Sequence, residues 1–131
     1  MSRVFLETSS LLRAIFREAG GAAVERRLRG AERIVASRLL RVEAERAVLR
    51  AAKDEPPAKL IPDLQREVSE LWPSIDFMEM THEVCALAGR IAPRSRLRAL
   101  DAIHLATFEI ARRLDPSLEM LTHDERLLRA L

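Results

Sequence analysis

Residues 3–12, Arg3-Val4-Phe5-Leu6-Glu7-Thr8-Ser9-Ser10-Leu11-Leu12, decide the fold class of this 131-residue chain. Residues 3–6 are short and hydrophobic and read as a buried first strand. Glu7-Thr8-Ser9-Ser10 places helix-capping chemistry directly behind it. Leu11, Leu12, Ile15 and Phe16 then recur at helical spacing, and Gly20-Gly21 is expected to stop that helix.

The same alternation continues along the chain. Residues 22–28 read as a second helix ending near Gly30, and 33–36 as a second strand, with β-branched Ile34-Val35. Ser37 caps a third helix that carries Leu39, Leu40, Val42, Glu43, Ala47 and Val48. Lys53-Asp54-Glu55-Pro56-Pro57 is the clearest loop. A helix over 60–71 closes at Trp72-Pro73, a third strand is expected over 75–80, and Thr81 caps a helix over 82–90. The loop 93–100 leads into a helix over 101–113, followed by a fourth strand over 118–121 and a terminal helix over 124–131. Strands alternating with helices imply an α/β protein with a mostly parallel sheet, in a single domain spanning 1–131.

Composition narrows the class. With 48% hydrophobic and 32% charged residues the chain reads as a soluble globular protein. No apolar run approaches the roughly 18–20 residues of a membrane span. Met1-Ser2-Arg3 leads straight to Val4-Phe5-Leu6 without the pattern of a signal peptide, so a cytoplasmic location is expected. The one cysteine, Cys85, excludes an internal disulfide and a cysteine zinc cluster, and reads as buried filler beside Val84, Ala86 and Leu87. The net charge is only +2, but the cations are almost all arginine, with Lys53 and Lys59 the two lysines. The planar fork of arginine suits phosphate, so a nucleic-acid partner is allowed, although the same bias also arises from genome composition.

Most of the 20 acids read as solvated. Four do not. Glu7 follows the first strand and Asp124 follows the last, and ligands of open parallel sheets bind beyond the carboxyl ends of the strands. Glu43 sits about one and a half turns into its helix, beside the packed face of Leu39, Leu40 and Ala47. Asp101 lies in the nearly apolar run Arg98-Ala99-Leu100-Asp101-Ala102-Ile103-His104-Leu105-Ala106, where the first turn of a helix favours an anion. Simple capping explains Glu7, Asp101 and Asp124 singly, but not their joint placement. Two carboxylates about 5 Å apart repel by roughly 3 kcal/mol at an effective dielectric near 20. Several converging acids therefore call for a cation, and oxygen ligands select a hard ion such as Mg²⁺ or Mn²⁺.

These motifs together resemble a known family. Val4-Phe5-Leu6-Glu7-Thr8-Ser9-Ser10 resembles the opening of PIN-domain nucleases. Ser37-x-Leu39-x-x-x-Glu43 resembles their second motif, Leu100-Asp101-Ala102-Ile103-His104-Leu105-Ala106 the third, and Leu121-Thr122-x-Asp124 the fourth. Order, spacing and length resemble the VapC-type toxins of toxin–antitoxin pairs. The resemblance implies a PIN-like, Rossmann-type α/β/α sandwich and a Mg²⁺- or Mn²⁺-dependent endoribonuclease. It also implies an RNA substrate, a cognate antitoxin protein and a homodimer. By that resemblance Glu7 and Asp101 contact the metal directly, Glu43 completes the site, and Asp124 is an outer or second-metal ligand. Thr8 and Thr122 hydrogen-bond the carboxylates.

One residue departs from the family pattern. The first acid is normally aspartate, and Glu7 moves the carboxylate out by about 1–1.5 Å. Because Mg²⁺ geometry is demanding, an alternative function follows: a weakened module that mainly binds an antitoxin or RNA. A third reading, a flavodoxin-like phosphoacceptor, fits poorly because both lysines lie near the proline loop. His104 is assigned packing or hydrogen bonding, His82 and His123 surface positions, and Trp72 a core or interface anchor. Arg94, Arg96 and Arg98 lead into the Asp101 helix and are candidates for steering an RNA backbone.

Overall fold

Val4, Phe5 and Leu6 are completely buried, as only a central strand covered on both faces can be. They belong to β1 (Ser2–Leu6). The computed structural model describes residues 2–51 and 60–131. After β1 come α1 (Thr8–Ile15), α2 (Gly21–Gly30), β2 (Ala31–Ser37), α3 (Leu39–Ala51) and α4 (Leu60–Ser69). A short 3₁₀ turn (Trp72–Ser74) leads to β3 (Asp76–Met78), α5 (His82–Ala88), α6 (Ala99–Leu114), β4 (Leu118–Leu121) and α7 (Glu125–Ala130).

The strand order is β3-β2-β1-β4, and all three pairings are parallel. Chain order runs outward from β1 to β3, then returns to place β4 on the other side of β1. The topological switch point therefore lies between β1 and β4, where open sheets of this kind leave a crevice. Successive strand residues face opposite ways. Phe5 and Val35 pack with Leu105 and Phe108 of α6 and Leu127 of α7. Leu6 and Ala36 pack with Leu11 of α1, Leu40 of α3 and Val68 of α4. The result is an α/β/α sandwich with a core on each face. Phe5 and Phe108 meet edge-to-face at 5.4 Å, worth about 0.5–1.5 kcal/mol beyond the area they bury.

Several boundaries differ from the sequence expectation. β2 begins two residues early because Ala31 already pairs with Ser2. β3 stops at Met78, not at 80, because its partner β2 ends at Ser37. The 60–71 helix ends at Ser69 and tightens into the 3₁₀ turn. Gly20-Gly21 does not stop α1, which already ends at Ile15. Gly20 instead starts α2 at φ +85°, and a Cβ on Gly21 would lie 2.2 Å from the carbonyl oxygen of Arg13, so glycine permits the α1–α2 approach. Cys85 is exposed, not buried, because only Val84 of that helical turn faces inward. The proline loop at 53–57 lies outside the described residues. Among the described residues no helix is long and apolar enough to cross a membrane.

Candidate active site at the carboxyl end of the sheet

The last pair in the β1–β4 register is Leu6 with Leu121, so Glu7 and Thr122 leave the sheet side by side. The Glu7 N–H donates to the Leu121 carbonyl at 3.1 Å. Glu7 caps α1, and its Oε1 accepts from the Ser9 N–H at 3.1 Å, from the Ser9 hydroxyl, and from the Thr122 hydroxyl at 2.6 Å. Thr122 Oγ1 in turn accepts from the Asp124 N–H at 3.0 Å. Asp124 caps α7, its Oδ1 accepting from the Leu127 N–H at 3.0 Å. The two strand ends are therefore tied together through hydroxyls, with no arginine on Glu7 among the described residues.

Glu43 comes from α3 and is reached from two sides. Thr8 donates its hydroxyl to Oε1 at 2.6 Å, and His104 Nε2 donates to the same oxygen at 2.5 Å. Burial pushes the Glu43 carboxyl up, but the His104 hydrogen bond and charge, with the Thr8 hydroxyl, outweigh it. Glu43 is thus held below the usual carboxylate range, as an anion. His104 is 1% exposed, and its Nδ1 has no partner among the described residues. Asp101 precedes His104 by three residues on α6, so the two share one side of the helix. It does not open the helix; it is the third helical residue, reaching back to the Arg98 N–H and Nε, both 3.4 Å from Oδ2.

Hydrogen bonds thus join Glu7, Thr122 and Asp124 in one group and Thr8, Glu43 and His104 in a second; the chain joins the groups at Glu7-Thr8, and Asp101 lies one turn before His104 on α6. On each acid the hydrogen bonds fall on one oxygen. Glu7 Oε2, Glu43 Oε2, Asp101 Oδ1 and Asp124 Oδ2 have no hydrogen-bond partner among the described residues. Among the described residues no three His, Cys, Asp or Glu side chains are grouped closely enough to hold a metal ion as they stand. The free atoms are all carboxylate oxygens, the donor type that hard divalent cations select.

Sequence reasoning missed some of the connections. Thr8 bonds Glu43, 35 positions away. Ser9 joins Glu7 to Thr122, and its capping position was the available signal. His123 is half-buried, not fully at the surface; Ser10 Oγ lies 2.7 Å from its Nδ1, because the turn after β4 packs against α1. Arg94 and Arg96 line a cleft with Arg126 and Arg129, whereas Arg98 turns to Asp101.

Fold and geometry together define an α/β protein with an acidic candidate site at the switch point of a parallel sheet. The chain belongs to the PIN-domain family, whose model matches residues 4–130. It is 34% identical over 128 residues to Ribonuclease VapC46 of Mycobacterium tuberculosis, an alignment spanning 97% of this chain and 88% of that protein. Among solved structures it is similar to PAE2754 from Pyrobaculum aerophilum, with a TM-score of 0.71 and 17% identity, over 98% of this chain and 79% of that one. It is also similar to a toxin–antitoxin complex from Klebsiella pneumoniae, with a TM-score of 0.65 and 17% identity, over 94% and 87% of the two chains. The chain is a VapC-type member of the family.

Proposed function

We propose that this protein is a Mg²⁺- or Mn²⁺-dependent endoribonuclease, the toxin of a toxin–antitoxin pair, and that Glu7, Glu43, Asp101 and Asp124 hold its metal. The observation that carries the reading is the free oxygen on each of these four acids at the switch point. Their relatives' names, Ribonuclease VapC and toxin–antitoxin complex, support the activity and a cognate antitoxin partner.

A bound divalent cation would supply charge neutralisation at the scissile phosphate and activation of the attacking water. The chain's own residues prepare that site. Thr122 and Ser9 fix the Glu7 carboxylate by loading one oxygen and leaving the other directed by elimination. Thr8 and His104 do the same for Glu43 and keep it ionised. Asp101, fixed by its backbone bond to Arg98, adds the third charge from α6.

Glu7 bears on the alternative reading, a weakened binding module. Three donors on Oε1 support the longer side chain as the working residue here, since aspartate would withdraw from both Ser9 and Thr122. The test is cleavage of RNA by purified protein in Mg²⁺ or Mn²⁺ and in EDTA. Cleavage by the wild type in metal alone, cut severely in Asp101→Asn and reduced in Glu7→Asp, is the expected result. A gain of activity in Glu7→Asp would favour the weakened module, and metal-independent cleavage would sink the proposal.

A further inference from the structure

The loop between α5 and α6 and the helix α7 enclose a cleft of about 540 Å³, lined by Arg94, Ser95, Arg96, Arg126 and Arg129. No carboxylate and no apolar side chain lines it. Arg126 and Arg129, three residues apart, share one face of α7. Among the described residues Arg94, Arg96 and Arg126 make no ion pair, and Arg129 has only Glu125, on its own helix at 3.3 Å. Most other arginines of the fold have a carboxylate, as Arg3, Arg33, Arg38 and Arg112 do. Three of the four guanidinium groups around the cleft have no carboxylate among the described residues, so the cleft favours an anion.

Both walls of the cleft are continuous with the acidic site. The loop runs through Arg98 into Asp101, and Asp124 caps α7. We propose that this cleft is a phosphate-binding subsite that holds the backbone of single-stranded RNA beside the acids, with Arg94, Arg96, Arg126 and Arg129 as its contacts. The inference rests on the ribonuclease reading and extends it. Arginine forks match phosphate oxygens, and four acids nearby oppose an incoming polyanion unless cations flank them. The lining has no apolar anchor for a protein segment and no aromatic ring for stacking bases, so recognition is of backbone charge. Binding there would be independent of base sequence.

The test is fluorescence anisotropy of a labelled single-stranded RNA of mixed sequence, about 12 nucleotides long. It is run in EDTA over a salt series, with wild type and Arg96→Ser/Arg126→Ser. Both positions are exposed, and an unchanged melting temperature checks the fold. Removing two phosphate contacts lowers the slope of log affinity against log salt by about 1.4, and weakens binding at least about tenfold. In metal, cleavage by the same variant shows a raised KM with kcat retained. A slope and affinity equal to wild type overturn the subsite while leaving the ribonuclease reading intact. Loss of binding to a poly-glutamate peptide with RNA binding unchanged overturns it in favour of an acidic protein partner. If the wild type binds this RNA in EDTA but does not cleave it in metal, the ribonuclease reading fails and the salt slope alone judges the cleft.

Discussion

The two ends of the sheet handle negative charge in opposite ways. At the amino end each acid has arginine. Arg3 bonds Glu32 and Asp115, both at 3.2 Å, and Arg33 bonds Asp76 at 2.8 Å and lies 3.8 Å from Asp115. These pairs stitch the starts of β1, β2 and β3 to the turn before β4. At the carboxyl end, around β1 and β4, the acids are held by hydroxyls, backbone N–H groups and one histidine. Asp101 alone of the four has an arginine, and that side chain is 70% exposed. Farther out on the same edge the amino-end pattern returns, with Arg38 on Glu79 at 2.5 Å. Where charge is neutralised within the chain, the acids serve the fold. Where it is oriented but left uncompensated, they are available to a ligand.

The difference can be broken at either end. Asp101→Asn should cut RNA cleavage by on the order of 10³-fold, with a melting temperature equal to or above wild type, because it removes one charge from a repelling set. A large loss of stability instead would place Asp101 with the structural acids. His104→Ala removes the partner of Glu43 and opens a cavity in the core. We expect cleavage to fall about 10- to 100-fold and stability by about 2–4 kcal/mol, measured by urea unfolding. His104→Gln, which keeps a donor for Glu43, should recover part of both. Thr122→Val should lower cleavage about tenfold with a smaller stability change, since Glu7 keeps its two bonds from Ser9.

At the amino end the smallest effects are expected, and on stability only. Arg3→Ala should lower the melting temperature by a few degrees and leave cleavage unchanged. The Ser117 hydrogen bonds and Arg3 hold the Asp115 carboxyl below its usual value, and Arg3 does the same for Glu32. A carboxyl depressed in the folded state stabilises the protein above its unfolded pKa, and that contribution is lost as pH falls through the folded value. The melting temperature of wild type should therefore drop more steeply below about pH 4 than that of Asp115→Asn. Parallel curves would show that the amino-end pairs contribute nothing to the pH dependence.

Much of this contrast was legible in the sequence, and the reasons are local. Phe5-Leu6 and Ile34-Val35 announce buried strands, and Glu7, Thr81 and Asp124 are capping residues by position and by chemistry. Glu7 and Asp124 at strand ends, Asp101 in a first helical turn and Glu43 beside an apolar helix face could be placed by counting. The connections were not legible because they are distant in sequence. Thr8 with Glu43, Glu7 with Thr122, and Arg126 beside Arg96 are set by how the helices pack over the sheet. Cys85 and His123 were misplaced for the same reason: their neighbours in sequence do not report which side of a short helix or turn meets the core.

The proposed role of the carboxyl-end acids is to hold a divalent cation. Calorimetric titration of Mn²⁺ into metal-free wild type, Asp101→Asn and Arg3→Ala tests it most directly. Saturable binding is expected for wild type and Arg3→Ala alike, weakened at least about tenfold in Asp101→Asn. No binding by the wild type, or equal binding by all three proteins, would contradict it.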